Sequence, residues 1–265
     1  MALTPEQAKA AAAWILSCWR DGSRLPAFPV ALRPATRAEG YAVQAYLEDA
    51  GAGELMGWKI AATSAAGQAH IGVDGPLAGR LLADHAYLSG ALLPWGHNTM
   101  RVAEAEFCFR MGKDFAPRAT PYGTDEVLAG VATLHPAIEV PDSRFADFSA
   151  VGAAQLIADN ACAHDFVLGA ATSADWRSLD LSTHTVTGTV VGKLTRDGIG
   201  GNVLGDPRMA LVWLANELSA QGITLLSGHL VTTGTCLVPL PIEPGDHVTA
   251  DFGVLGQVSA RFGSP

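Results

Sequence analysis

The residues after position 80 constrain the fold most, because they form short runs rich in Val, Thr, Leu and Phe that are separated by Gly and Pro. Such runs are typical of β-strands, since β-branched and aromatic side chains suit a pleated surface and Gly or Pro ends it. The pattern predicts strands over 101–111, 136–140, 183–194, 229–233 and 246–262. It also predicts helices between them, over 148–169 and 206–222.

The first eighty residues predict helices, because side chains that can cap a helix stand at two suitable places. Thr4 precedes Pro5 and lies three residues before Gln7, and Thr36 lies three residues before Glu39. In this arrangement the threonine hydroxyl accepts from a free amide of the first turn, and the Gln or Glu side chain returns to the cap. We expect one helix to begin at each cap, over 5–20 and 37–50.

The composition is that of a large globular domain. With 265 residues, 49% of them hydrophobic, and a mean hydropathy of +0.21, the chain can bury a sizeable core. The change in character near residue 80 is the boundary that the sequence offers. We therefore expect an α+β protein with an N-terminal helical segment, 1–80, and a β-rich domain, 81–265.

The charge and the cysteine content restrict the class of binding partner and the cellular compartment that we expect. The formal net charge of −9 offers no basic surface for nucleic acid or an anionic membrane, so we expect a small-molecule partner. The four cysteines lie far apart without a C-x-x-C pair, which predicts reduced thiols. The apolar stretch 10–19 is too short for a membrane span and lacks a basic leader. We expect a cytoplasmic protein.

Two carboxylates, Glu104 and Glu106, stand in the otherwise apolar run "RVAEAEFCFRMGKD". In a strand they would share one face with backbone origins about 7 Å apart, close enough for both to reach one hard cation such as Mg²⁺. Glu139, at the end of the short apolar run in "HPAIEVPDSR", is the best candidate for a third oxygen ligand. A solvated polar strand face is the alternative interpretation.

Other polar residues allow two interpretations each. Lys59 is a lone cation in the apolar "GWKIAA", so it would need a carboxylate or substrate anion if buried, or it is a lysine that extends to the surface. The segment "VTTGTC", 231–236, offers hydroxyls and amides for a carboxylate, or it is an ordinary turn. No histidine pair has metal-ligand spacing, so we interpret the histidines as structural, with His135 and His164 nearest to the predicted site.

The chain resembles the fumarylacetoacetate hydrolase superfamily, and within it the branch of 2-keto-4-pentenoate hydratases and 4-oxalocrotonate decarboxylases. The resemblance runs through most of the chain, with six motifs in the same order. The matching segments are "GWKIAATSAAGQAHIGVDGP", "VAEAEFCFRMGKD", "HPAIEVPDSRF", "IADNACAHDFVLG", "GNVLGDPRMALVWLANEL" and "VTTGTCLVPLPIEPGDHVTADFGVLGQVSARF".

The resemblance implies a fold and a metal site. The fold is an N-terminal helical segment on a mixed β-roll of the superfamily's C-terminal type. Glu104, Glu106 and Glu139 match the family's ligands to Mg²⁺ or Mn²⁺, and a 2-oxo acid chelates the same ion through its keto and carboxylate oxygens. Burial of these carboxylates would then be explained by the cation. Members of the family usually form homo-oligomers, so we expect one here.

The resemblance also implies residues for chemistry and substrate binding. Lys59 would lie near the reacting carbons, and Asp74 in "GVDGP" is the second catalytic candidate. Thr233 and Thr235 would hold the substrate carboxylate, with Ser64 as a further substrate-binding residue. These residues complete the site that the family's pattern implies.

One departure from the family bears on the reaction. Many hydratases of this branch carry an acid-base aspartate after G-V-D-x-P, where this chain has Leu77. The implied reaction is hydration of a 2-hydroxy-2,4-dienoate, or its 2-oxo-4-enoate tautomer, to a 4-hydroxy-2-oxo acid. Decarboxylation of a 2-oxo-3-enedioate and tautomerisation of a 2-oxo acid are the chemical alternatives, and a non-catalytic oxo-acid-binding protein is the alternative of another class.

Overall fold

The computed structural model describes residues 2–49 and 53–264. Within these ranges the α-helices are α1 (Pro5–Asp21), α2 (Arg37–Asp49), α3 (Ala65–Ile71), α4 (Thr124–Leu128), α5 (Ala153–Ala158) and α6 (Pro207–Ala220). The strands are β1 (Leu55–Ala61), β2 (Leu77–Leu82), β3 (Ala86–Leu88), β4 (Leu92–Leu93), β5 (Val102–Met111), β6 (Val131–Val140), β7 (Asp165–Leu168), β8 (Thr185–Val190), β9 (Leu194–Ile199), β10 (Leu230–Thr235), β11 (Leu240–Pro241), β12 (His247–Asp251) and β13 (Gln257–Phe262).

The described strands form two mixed sheets that together make the β-roll. The larger sheet has the order β2-β1-β10-β5-β6-β7-β3, with β11 also paired to β5, and the smaller has the order β4-β13-β12-β8-β9. Most neighbours are antiparallel, whereas β1 with β10, β3 with β7 and β4 with β13 are parallel. The predicted α+β class with a mixed β-roll is confirmed.

Strand β5 runs through the middle of the larger sheet and is buried on both faces. Phe107 and Phe109 on one face belong to the main hydrophobic core, while Cys108 on the other belongs to a smaller apolar cluster that also includes Phe166 and Leu230. Glu106, which shares the second face with Cys108, is therefore removed from water although it is charged. The candidate functional site described below lies on this second face.

Several predicted elements are confirmed by the structure. Helix α1 begins after Thr4, whose hydroxyl accepts from the amide of Gln7 while the Gln7 side chain accepts from the amide of Thr4. Helix α2 starts at the predicted position, and the predicted end at residue 50 lies outside the described residues. The strand predicted over 183–194 contains β8 and ends at the first residue of β9, and the strand predicted over 246–262 contains β12 and β13.

The helix predicted over 148–169 is wrong. Only α5 is α-helical there, and β7 occupies the end of the segment. Gly152 has a φ of 80° before α5, and the residues from Asn160 to Cys162 all have positive φ, so a continuous right-handed helix cannot form.

The part before residue 80 also contributes to the sheet. Strand β1, between α2 and α3, pairs with β10 in parallel and with β2 in antiparallel register. Within the described ranges, no helix combines the length and apolar character that crossing a membrane requires.

Candidate metal centre

Glu104, Glu106 and Glu139 meet on one face of the larger sheet. Glu104 and Glu106 alternate along β5, and Glu104 lies directly opposite Glu139 of the neighbouring β6. One carboxylate oxygen from each lies within 4.8 Å of the others. We call these three residues the carboxylate cluster.

The carboxylate cluster is buried and incompletely bonded. Glu106 and Glu139 are 0% and 1% exposed, and Glu104 is partly buried. The Glu106 Oε2 atom accepts from the amide of Gly234 at 2.9 Å, but Glu106 Oε1 and both Glu139 oxygens accept no hydrogen bond from the described part of the chain. Buried carboxylate oxygens without partners are costly, so these atoms are suited to a cation.

Lys59 supplies one positive charge to the cluster. Its ammonium is 3% exposed, donates to the Ala161 carbonyl at 3.0 Å, and lies 3.0 Å from Glu139 Oε1 as an ion pair. Burial alone would lower the pKa of Lys59, but Glu139, followed by Glu104 and Glu106, outweighs it and raises that pKa. Lys59 therefore stays protonated.

One lysine does not balance three carboxylates. Burial, and then the charge of Glu139, raises the pKa of Glu104 to about 7. The same two causes, with Glu104 added, raise the pKa of Glu106 well above its ordinary value. Full ionisation leaves two negative charges uncompensated, and a hard divalent cation with oxygen ligands offsets them. The residues present therefore fit Mg²⁺ or Mn²⁺.

The end of β10 holds Glu106 through a β-bulge. The register with β5 shifts between Thr232, opposite Cys108, and Thr235, opposite Glu106. The extra residue releases the Gly234 amide from the ladder, and that amide bonds to Glu106. Gly234 has a φ of 92°, and a Cβ there would collide with the side chain of Thr63, so only glycine suits this position.

The bulge also separates the threonines predicted to bind substrate. Thr235, whose hydroxyl donates to the Leu237 carbonyl at 2.8 Å, lies beside the cluster. Thr233 is fully buried, and its hydroxyl already donates to the Phe107 carbonyl at 3.1 Å. Thr232, which sequence reasoning missed, shares the strand face of Glu106, and its buried hydroxyl has no partner among the described residues.

The remaining predicted residues lie outside the cluster. Ser64 caps α3 by accepting from the Gly67 amide at 3.0 Å. Asp74 is exposed in the turn before β2 and is not a member of the cluster among the described residues. Leu77 is fully buried at the start of β2, on the same strand face as Gly79, which lies opposite Lys59. A buried aliphatic side chain thus occupies the position at which the family resemblance leads us to expect an aspartate.

A second group of potential ligands is formed by His85, His164 and Asp165, which we call the histidine–aspartate cluster. His85 Nδ1 lies 2.9 Å from Asp165 Oδ1, and Trp19 donates to His164 Nδ1 at 2.7 Å. Burial lowers the pKa of His164 to about 4, so its ring is neutral and carries its proton on Nε2, facing Asp165. Two ring nitrogens of this cluster are therefore already hydrogen-bonded, His85 Nδ1 with Asp165 and His164 Nδ1 with Trp19.

The ring of His135 is also hydrogen-bonded within the protein. Its Nδ1 lies 2.9 Å from the Gly169 carbonyl, and its Nε2 lies 2.8 Å from the Thr133 hydroxyl. Both ring nitrogens are engaged, so this side chain is placed as a structural residue.

Comparisons with known proteins find relatives over nearly the full length of the chain. A 2-keto-4-pentenoate hydratase of Dechloromonas aromatica (strain RCB) is 31% identical over 257 residues, covering 96% of each chain. A 4-oxalocrotonate decarboxylase of Pseudomonas sp. (strain CF600) is 30% identical over 267 residues, covering 98% of each. No protein-family model matches the chain.

Solved structures extend the agreement to three dimensions. The 4-oxalocrotonate decarboxylase of Pseudomonas putida G7, complexed with magnesium and adipate, superimposes with a TM-score of 0.88 at 28% identity, covering 98% of each chain. A mixed β-roll with a buried acidic cluster defines the class of protein. The chain belongs to the fumarylacetoacetate hydrolase superfamily, in the branch of 2-keto-4-pentenoate hydratases and 4-oxalocrotonate decarboxylases.

Proposed function

We propose that this chain is a divalent-metal-dependent hydratase that adds water to a 2-hydroxy-2,4-dienoate, or its 2-oxo-4-enoate tautomer, and yields a 4-hydroxy-2-oxo acid. The observation that carries the proposal is the carboxylate cluster, in which Glu106 Oε1 and Glu139 Oε2 have no partner in the described chain and Glu139 Oε1 has only its ion pair with the buried Lys59. Relatives named as 2-keto-4-pentenoate hydratases support it over nearly the full length.

The carboxylate cluster would hold Mg²⁺ or Mn²⁺. When bound, such an ion supplies Lewis acidity to the keto and carboxylate oxygens of a 2-oxo acid and stabilises enolate charge. Lys59 has a defined part in this chemistry because its ammonium is fixed by the Ala161 carbonyl and by Glu139. It would place a positive charge and a transferable proton beside the reacting carbons.

Substrate orientation would come from the end of β10. The Thr235 hydroxyl, which lies beside Glu106 in register, would exchange its bond to the Leu237 carbonyl for one to the substrate carboxylate. Thr233 and Ser64 would support this side of the site through the backbone they fix, at the bulge and at the start of α3. Asp74, exposed before β2, stays a catalytic candidate on the family's pattern alone.

Decarboxylation of a 2-oxo-3-enedioate is the second candidate, and Leu77 favours it. The side chain at this position is aliphatic and fully buried, so it cannot exchange protons with an added water. Decarboxylation needs the same stabilised enolate but no added water. Relatives named as 4-oxalocrotonate decarboxylases match as well as the hydratases do.

Product identification separates these reactions. The purified protein is incubated with Mg²⁺ and either 2-hydroxypenta-2,4-dienoate or 2-hydroxymuconate, and the products are analysed by NMR and mass spectrometry. The hydratase proposal expects a 4-hydroxy-2-oxo acid from the first substrate, and loss of this product after chelation of the metal. Carbon dioxide from the second substrate without hydration of the first would instead establish the decarboxylase, and ketonisation alone a tautomerase. Absence of any reaction on either substrate would contradict both proposals.

The assembly and the compartment also belong to the proposal. We expect a homo-oligomer, as the resemblance to the family implies. We also expect the cytoplasm, because the four cysteines are buried free thiols. Light scattering on a size-exclusion column measures the assembly directly, and a monomeric mass would contradict it.

A further inference from the structure

A left-handed turn lies directly against Lys59. Asn160, Ala161 and Cys162 have φ values of 57°, 50° and 62°, and all three are buried. A residue in this region is strained when it is not glycine, although asparagine tolerates the conformation better than most. Three such residues in succession persist only where the surroundings hold them.

The turn presents a carbonyl to the lysine. In a right-handed helix each carbonyl points along the axis toward the residue four positions later. The left-handed turn after α5 breaks this pattern, and the Ala161 carbonyl instead accepts from Lys59 Nζ at 3.0 Å. That bond, with the Glu139 ion pair at 3.0 Å, fixes the position of the ammonium.

Asn160 fastens the turn to the strand next to Lys59. Its Oδ1 accepts from the Arg80 amide at 2.7 Å, and its Nδ2 donates to the Arg80 carbonyl at 3.0 Å, so one carboxamide uses both backbone groups of one residue. Arg80 follows Gly79, which lies opposite Lys59 between β1 and β2. We call this pair of hydrogen bonds the Asn160 clamp. It lies one residue from Gly79, the residue of β2 that faces Lys59.

Gly79 brings the turn into direct contact with the lysine. A Cβ at Gly79 would collide with the Asn160 carbonyl and would lie 3.0 Å from the Lys59 Cδ atom. The missing side chain lets the turn approach β2 while the lysine stem passes between them. A shift of the turn would therefore move the Ala161 carbonyl relative to Lys59.

We propose that Asn160 is a positioning residue for Lys59: its double bond to the Arg80 backbone holds the left-handed turn whose Ala161 carbonyl orients the ammonium. This inference rests on the proposed function for its kinetic consequence, since a misplaced ammonium slows proton transfer. It goes beyond that function by naming the residue that holds the Lys59 ammonium in position.

Two variants distinguish the loss of the Asn160 hydrogen bonds from a change in the backbone conformation. Asn160→Gly permits positive φ but removes the carboxamide, whereas Asn160→Ala removes the carboxamide and also disfavours positive φ. Gln44→Ala is the matched control, because the Gln44 carboxamide also makes two buried bonds to backbone, to the carbonyls of Ala78 and Ile157 at 2.9 Å. The control thus loses a similar pair of bonds near the same strand without touching Lys59.

The kinetic test distinguishes an effect on kcat from an effect on KM. Both Asn160 variants should lower kcat about 10- to 100-fold, because small displacements of a reacting group cost this much, while KM and the Kd for Mn²⁺ stay within about twofold. Gln44→Ala should lose thermal stability but keep kcat within about twofold. Wild-type kcat in Asn160→Gly would overturn the proposal, as would an equal loss of kcat in Gln44→Ala.

A second test does not depend on activity. Lys59 is the buried one of four lysines, and Lys9, Lys113 and Lys193 are exposed. The protected ammonium of Lys59 should give one slowly exchanging ¹H–¹⁵N side-chain signal in a lysine-labelled sample, which Lys59→Met removes. We expect this signal to shift or vanish in both Asn160 variants and to persist in Gln44→Ala. An unchanged signal would refute the clamp even if the enzyme is active, and a changed signal without turnover on any substrate would refute only the proposed function.

Discussion

The carboxylate cluster and the histidine–aspartate cluster lie on opposite sides of the same part of the sheet. Glu139 on β6 is paired with Phe166, whereas Asp165 on β7 is paired with Val140, one position away, so the two acidic side chains point to opposite faces. Each cluster brings three potential ligand atoms within 4.8 Å of one another. Spacing alone therefore does not distinguish them.

The two clusters differ in how their polar atoms are bonded. In the histidine–aspartate cluster, Trp19 bonds to His164 Nδ1 and Asp165 bonds to His85 Nδ1, so a metal at either nitrogen would have to displace a bond that already exists. In the carboxylate cluster, Glu106 Oε1 and Glu139 Oε2 have no partner in the described chain, Glu139 Oε1 has only its ion pair with Lys59, and one lysine faces three carboxylates. Unmet bonding capacity in a buried site, rather than ligand spacing, marks the place that a ligand completes.

The largest effect is expected from Glu106→Gln. The amide oxygen can still accept from the Gly234 amide, so the bulge and the fold stay intact, but one ligand charge is lost. We expect turnover to fall by about 10³-fold or more, because transition-state charge is no longer stabilised. Steady-state kinetics at saturating Mg²⁺ measures this effect, and unchanged turnover would remove Glu106 from the site.

A smaller effect of a different kind is expected from Asp165→Ala. The substitution leaves His85 and His164 without their carboxylate partner in a mostly buried place, so we expect the free energy of unfolding to fall by about 2 kcal/mol. Urea unfolding measures the loss. Turnover should stay within about twofold of wild type, and a loss comparable to that of Glu106→Gln would mean that the two clusters are not independent.

The smallest effects distinguish two adjacent threonines. Thr232→Val removes a buried hydroxyl that has no protein partner, so stability should hold or rise slightly while kcat falls about tenfold if that hydroxyl serves substrate or water. Thr233→Val removes a hydroxyl bonded to Phe107, so stability should fall by about 1 kcal/mol. Urea unfolding and kinetics on both variants give the comparison, and a fully active Thr232→Val would exclude that hydroxyl from the reaction.

Part of the site could be predicted from the sequence because it follows strand alternation. Two residues separated by one position share a strand face, which places Glu104 and Glu106 together without any tertiary knowledge. Glu139 was a candidate from its place at the end of a short apolar run, but nothing in the sequence of β6 states which strand lies beside it. The register between β5 and β6 supplies that information.

Alternation fails at β10 because a bulge interrupts it. A regular strand would put Thr233 and Thr235 on one face, but the extra residue at Gly234 puts Thr232 and Thr235 there instead. The glycine in "VTTGTC" is the signal in the sequence, since glycine inside a strand often marks a bulge. Which residue the bulge displaces depends on the partner strand.

The predicted helix over 148–169 failed for a tertiary reason. Asn160, Ala161 and Cys162 have no glycine among them that would announce a left-handed turn, and the Ala-rich sequence before them favours a helix. The conformation is imposed by the Arg80 backbone and by Lys59, both distant in sequence. Such contacts appear only when the fold is known.

Manganese binding followed by electron paramagnetic resonance tests the central claim most directly, because free Mn²⁺ is counted in solution without reference to turnover. Wild-type protein and Asp165→Ala should each bind one Mn²⁺ per chain with the same Kd, whereas Glu139→Gln should weaken binding at least about tenfold. Equal binding by Glu139→Gln and wild type, or loss of the ion in Asp165→Ala, would contradict the account.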